Sequence, residues 1–171
     1  RKQEILPIVK KYDNSVGDEI AEVSFEQRVK NAASKNTPWL FNYTLRGGWS
    51  TASSQFQSVY NHNRCGLLSV AIALFQILKN DSAIDFKWLK AFVHKIDSTI
   101  AWSEDDLRYL MQNKIITSLD DVRIVHIESA KIIINSFCNI ADDSSKQFIV
   151  KIIENGYKEH IYSEFGLILL Y

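Results

Sequence analysis

Apolar and polar positions along this chain follow two rhythms, and the change between them falls near Asp121. Before it the spacing is helical. Ile20, Val23, Val29 and Ala32 share one face of a helix predicted from Asp18 to about Ser34, and Ser24-Phe25-Glu26-Gln27 reads as a capping box that starts or restarts it. Pro38 ends the element by disfavouring α geometry at Thr37. Trp39, Leu40, Phe41 and Tyr43 form an aromatic segment, and Leu45-Arg46-Gly47-Gly48 with the Ser/Thr/Gln stretch to Tyr60 reads as a long polar loop. From Leu67 to Leu78 only Ser69 and Gln76 are polar, which predicts a helix buried on nearly all sides. Asp85 caps a second helix with Phe86, Leu89, Val93 and Ile96 on one face. Ser103 caps a third with an acidic first turn, directing Leu107, Leu110 and Met111 inward.

After Asp121 the pattern reads as strands. Val122 to Ile127 alternates, Lys131 to Phe137 is rich in β-branched residues, and Gln147 to Ile153 alternates again before Asn155-Gly156, a hairpin signal. Tyr157 to Tyr162 and Phe165 to Tyr171 complete the set, with a bulge at Gly166. Helices followed by sheet predict an α+β fold, in which the buried helix and its neighbours pack on a C-terminal antiparallel sheet. Residues 1 to 17, with mixed charges, Pro7 and Gly17, are read as an N-terminal lead, and residues 18 to 171 as one domain.

Composition narrows the classes. Acidic and basic residues balance at 20 each among 171, so no overall field attracts nucleic acid or an anionic membrane, and a protein partner fits better. Cys65 and Cys138 are the only cysteines, too few for a disulfide scaffold, which suggests a reducing, cytoplasmic setting. The four histidines lack the spacing of a metal site, and no cofactor is expected. No apolar run approaches the roughly 18 to 20 residues of a membrane span. Arg1 is not a natural start, so the chain is read as a piece of a longer protein.

Candidate chemistry centres on Asn61-His62-Asn63-Arg64-Cys65-Gly66, where a polar loop meets the apolar helix. A cysteine at a helix N-terminus faces unpaired N–H groups and the positive end of the helix dipole, which favour a nucleophilic thiolate. The plain alternative is a small hydrophobic residue near a helix cap. A nucleophilic cysteine needs a base. His94 reads as a boundary residue and His62 as part of a substrate loop, leaving His126 and His160. Leu45-Arg46-Gly47-Gly48 has the letters of the ubiquitin tail, although paired glycines more often only turn the backbone.

A helix-borne cysteine followed by a later histidine is similar to the papain-like layout. From Asn61 to Phe165 the chain most resembles the ovarian-tumour (OTU) deubiquitinases. The resemblance rests on the stretch from Cys65 to Phe75, Trp102, Asp106-Leu107, Val122-Arg123-Ile124, Phe148-Ile149-Val150 and Glu159-His160-Ile161-Tyr162. It implies a papain-like domain and a cysteine hydrolase acting on ubiquitin or a ubiquitin-like modifier. Cys65 would be the nucleophile and His160 the base, with the Cys65 N–H and loop amides holding the oxyanion. The chain departs from the family in having His62 three residues before the cysteine, where aspartate is usual, and Tyr162 two after the histidine, where Asp or Asn is usual. The third group is left open among Glu164, Asn61 and Asn63.

Two other readings stand beside it. Cys65, His126 and Gln147 are similar in order and spacing to the triad of the cycle-inhibiting-factor effectors, which implies a glutamine deamidase acting on ubiquitin or its close relative, possessed by an effector in a host cytosol. A non-catalytic interaction domain would instead use Trp39, Phe41, Trp49 and Tyr60 as a protein-binding patch.

Overall fold

The computed structural model describes residues 24–35, 41, 44–45, 48–62, 64–159 and 161. Seven helices occur among them: α1 (Phe25–Ala33), α2 (Gly48–Tyr60), α3 (Cys65–Leu78), α4 (Phe86–Ile96), α5 (Glu104–Gln112), α6 (Ile127–Ile140) and α7 (Asp143–Lys158). The chain divides into two compact units, Arg1–Ser54 and Gln55–Tyr171, with the boundary inside α2. The lead read at residues 1 to 17 lies outside the described residues.

In the first unit Ser24 caps α1 by accepting from the Gln27 N–H. Val29, Ala32 and Leu45 form a small core with Phe41 packed against it. Arg28, although charged, is buried, and its Nη1 donates to the Leu45 carbonyl at 2.6 Å. A buried guanidinium needs such acceptors to offset its lost hydration.

The second unit is organised around α3, in which every residue except Leu67 is buried. An almost wholly apolar helix must be covered on all sides, and α5, α6 and α7 each pack against it, while α4 packs on α7. Buried Gln76 turns its amide to the 115–125 segment. Its Oε1 accepts from the Ile124 N–H at 2.7 Å, and its Nε2 donates to Asp81 at 2.6 Å and to the Ile124 carbonyl at 3.3 Å. Ile124 and Val122 also make isolated antiparallel bridges to Ile116 and Ile84. Val122 and Ile124 are buried and Arg123 and Val125 exposed, but the strand expected from Val122 to Ile127 is reduced to these two bridges, and Ile127 already opens α6.

The expected α+β, papain-like architecture is overturned: the described residues are mostly helical and form no sheet. Lys131 to Phe137 lies inside α6, where Ser129, Ala130, Ile133 and Phe137 line a helical stripe. Gln147 to Ile153 lies inside α7, and the Asn155-Gly156 read as a hairpin is its interior, with Phe148, Ile152 and Gly156 buried four residues apart. Isoleucine loses only about 0.4–0.7 kcal/mol to alanine in a helix, whereas burying its side chain is worth about 1.5–3 kcal/mol. Packing on α3 therefore outweighs β propensity. From Gly48 to Tyr60 the predicted polar loop is also helical, because Ala52, Phe56 and Val59 fall on one face of α2, while Arg46 and Gly47 lie outside the described residues. The strand predicted from Phe165 lies outside the described residues.

Candidate functional site

Cys65 is the first residue of α3, and the turn before it is tightly made. Arg64 adopts the left-handed conformation at φ 66°, its guanidinium donates to the Thr99 carbonyl, and the Cys65 N–H donates to the His62 carbonyl at 2.6 Å. Gly66 is required by space, since a Cβ there would stand 2.5 Å from the Tyr60 carbonyl oxygen. Tyr60 is fixed in turn, edge-on to Phe56 and Phe137. The Cys-Gly pair thus has a packing explanation: the end of α2 rests on the start of α3.

Opposite the thiol stands the first turn of α5. One carboxylate oxygen of Asp106 accepts from the Ser103 N–H at 2.7 Å and its hydroxyl at 2.9 Å, closing a capping box. The other oxygen lies 3.7 Å from Cys65 Sγ, which donates to it. Burial first, and then the neighbouring carboxylate, push the thiol up from 9.0 to about 11. The helix dipole expected to favour a thiolate is outweighed. His62 is exposed and stacks on Tyr109, one turn beyond Asp106, with ring centroids 3.7 Å apart. His62, Cys65, Asp106 and Tyr109 therefore gather in one place, but the thiol is a proton donor there. Its backbone N–H, expected to hold an oxyanion, is spent on His62.

The other expected site residues are dispersed or undescribed. His160, Tyr162, Glu164 and Asn63 lie outside the described residues, and Asn61 is exposed. His126 is the N-cap of α6, its Nδ1 accepting from the Glu128 N–H at 3.0 Å. Burial lowers its pKa more than its acidic neighbours raise it. Gln147 is exposed near the start of α7. Of the expected aromatic patch, Trp39 and the side chain of Trp49 are outside what the structure describes, Phe41 packs on the first unit's core and Tyr60 on the second's. The sequence placed Asp106 in the acidic first turn of its helix and among the stretches similar to the OTU family, with no role beside the cysteine. Its contact with a cysteine 41 residues away has no signature in local pattern.

One groove in the second unit carries unspent polarity. Lys87, Lys90, Ala91 and His94 of α4 face Ile100, Ala101 and Trp102 across a cavity of about 480 Å³, within the size range of ligand pockets. Neither lysine is ion-paired among the described residues. The nearby acids are engaged: Asp85 caps α4, Glu104 pairs with Arg108, and the Asp97 carboxylate accepts from the Thr99 hydroxyl and N–H. Those Thr99 bonds hold the Asp97 carboxyl below its ordinary range. Trp102 is 4% exposed, and its Nε1 has no partner among the described residues.

No family model, curated protein or solved structure matches this chain. Among the described residues no cluster of three or more His, Cys, Asp or Glu side chains is arranged to hold a metal ion, and no helix is long and apolar enough to cross a membrane.

Proposed function

We propose that this chain is a non-catalytic protein-interaction domain. The observation that carries the reading is the state of Cys65: buried, protonated and donating to Asp106, with its N–H already engaged. A thiol that ionises near 11 is almost wholly unreactive toward carbonyls at neutral pH, because the thiolate is the nucleophile. The groove on α4 supports binding, since two ammonium groups without an ion-pair partner among the described residues, beside apolar surface, are complementary to an acidic, partly apolar partner.

A cysteine hydrolase of ubiquitin or a ubiquitin-like modifier is the second reading, and one observation favours it. Cys65 begins a buried helix, as the OTU resemblance implies, with a carboxylate and an imidazole-bearing loop beside it. His160 would be its base, and the deamidase variant would use His126 and Gln147. Incubation with ubiquitin carrying an electrophilic C-terminus, alongside unmodified ubiquitin and its closest ubiquitin-like relative, tests all three by intact mass. The interaction-domain reading expects every mass unchanged. An adduct on Cys65 would establish a hydrolase-like site, and the small mass gain of an amide-to-acid conversion would establish a deamidase.

A further inference from the structure

We infer that the groove between α4 and the 97–103 segment docks an extended, acidic peptide segment of a partner protein. The inference rests on the interaction-domain reading and names the partner's chemistry.

The α4 wall presents Lys87, Lys90 and His94 at helical spacings of three and four, all exposed and on one face. At about 1.5 Å per residue this basic row runs for about 10 Å. Same-face side chains of an extended peptide recur about every 6.6 Å, so two acidic side chains fall within the row. α4 itself contains no acidic residue, and Lys90 rests over the Phe86 ring, 5.4 Å from its centroid, with no carboxylate partner among the described residues. The charge to be met therefore comes from the ligand.

The facing wall fits the peptide backbone. Ala101 is exposed and belongs to no helix, and among the described residues its backbone N–H and C=O groups have no hydrogen-bond partner. Such groups can pair with an extended chain laid alongside, as at a sheet edge. Ala91 and Ala101, both exposed, with the edges of buried Ile100 and Trp102 behind them, supply apolar surface for a side chain between the two acids. The wall is also pre-organised: Asp97 holds Thr99, the Ile100 N–H donates to the Asp97 carbonyl at 3.2 Å, and Arg64 holds the Thr99 carbonyl from the start of α3. A wall already ordered loses little freedom on binding. Nucleic acid suits the groove less well, because the chain's charges balance and the basic row is short.

The test is fluorescence anisotropy with the full 171-residue chain and fluorescein-labelled hexapeptides carrying Glu at alternate positions and Leu, Ile, Val, Phe, Tyr or Trp between them. At least one peptide should bind, its Lys-for-Glu counterpart should not, and millimolar inorganic phosphate should fail to displace it. The double variant Lys87→Glu/Lys90→Glu should weaken binding about tenfold or more, while Lys158→Glu, an exposed charge reversal on α7, should leave it unchanged. Both lysines are exposed, so circular dichroism of the double variant should match the parent. Absence of binding by all the peptides, equal binding by the double variant, or displacement by phosphate would overturn the inference. Peptides that fail while Cys65 stays inert would remove the groove alone, whereas labelling of Cys65 by the electrophilic ubiquitin would remove the interaction-domain reading whatever the peptides do.

Discussion

Gly66 and Cys65 illustrate how much a single position owes to its neighbours. Gly66→Ala would bring a methyl group within 2.5 Å of the Tyr60 carbonyl oxygen, where backbone must move rather than a flexible side chain. Overpacking of this kind costs about 1–3 kcal/mol, which exceeds the gain of about 1 kcal/mol from alanine's helix propensity. Chemical denaturation should therefore show Gly66→Ala to be less stable; equal or greater stability would mean that α2 and α3 do not meet so closely. Cys65 carries the complementary signal in pH. Its folded-state pKa lies above the ordinary thiol value, so the unfolded chain releases the proton first as pH rises. Stability is then lost from about pH 9 to about 11, and Cys65→Ala should lack that component when urea midpoints are compared across the range. The helix-start cysteine is legible from the polar loop running into the apolar stretch. The direction of its pKa is not, because burial and Asp106 are set by tertiary packing.

Capping shows which helices a sequence reveals and which it hides. Asp85 and Ser103 stand before clear apolar stripes, and the structure has α4 and α5 starting beside them. Asp142 and His126 do the same for α7 and α6, but they precede runs of isoleucine whose local pattern also fits strands. Histidine is an unusual N-cap and works only through a neutral acceptor nitrogen. His126 Nδ1 accepts from the Glu128 N–H, and burial keeps its folded-state pKa below 6.5. The unfolded chain therefore binds the proton first as pH falls, and stability is lost below about 6.5. His126→Asn keeps a cap acceptor without the titration, so its thermal midpoint should fall less between pH 7 and pH 5 than the parent's. A parallel fall in both would separate His126 from the acid sensitivity. His126→Ala, which removes the cap, should cost about 0.5–2 kcal/mol at neutral pH.

In the second unit, the central apolar helix decides both the architecture and the fate of the cysteine. Its all-round hydrophobicity was readable from Leu67 to Leu78, and the structure surrounds it with other elements. What surrounds it was not readable. Lys131 to Phe137 and Gln147 to Ile153 are too short for periodicity to separate strand from buried helix, and only contact with α3 makes the helical stripe the one that buries more. Cys65, as part of that core, should be reached by reagents only when the core opens. The decisive measurement is iodoacetamide labelling of Cys65 in a Cys138→Ser background, followed by intact mass at pH 6 to 8 over a series of sub-denaturing urea concentrations. A buried, protonated core thiol predicts labelling far slower than that of a free thiol, accelerating with urea in step with the unfolding equilibrium. Rapid labelling at pH 6, independent of urea, would reveal an accessible thiolate and contradict the non-catalytic reading.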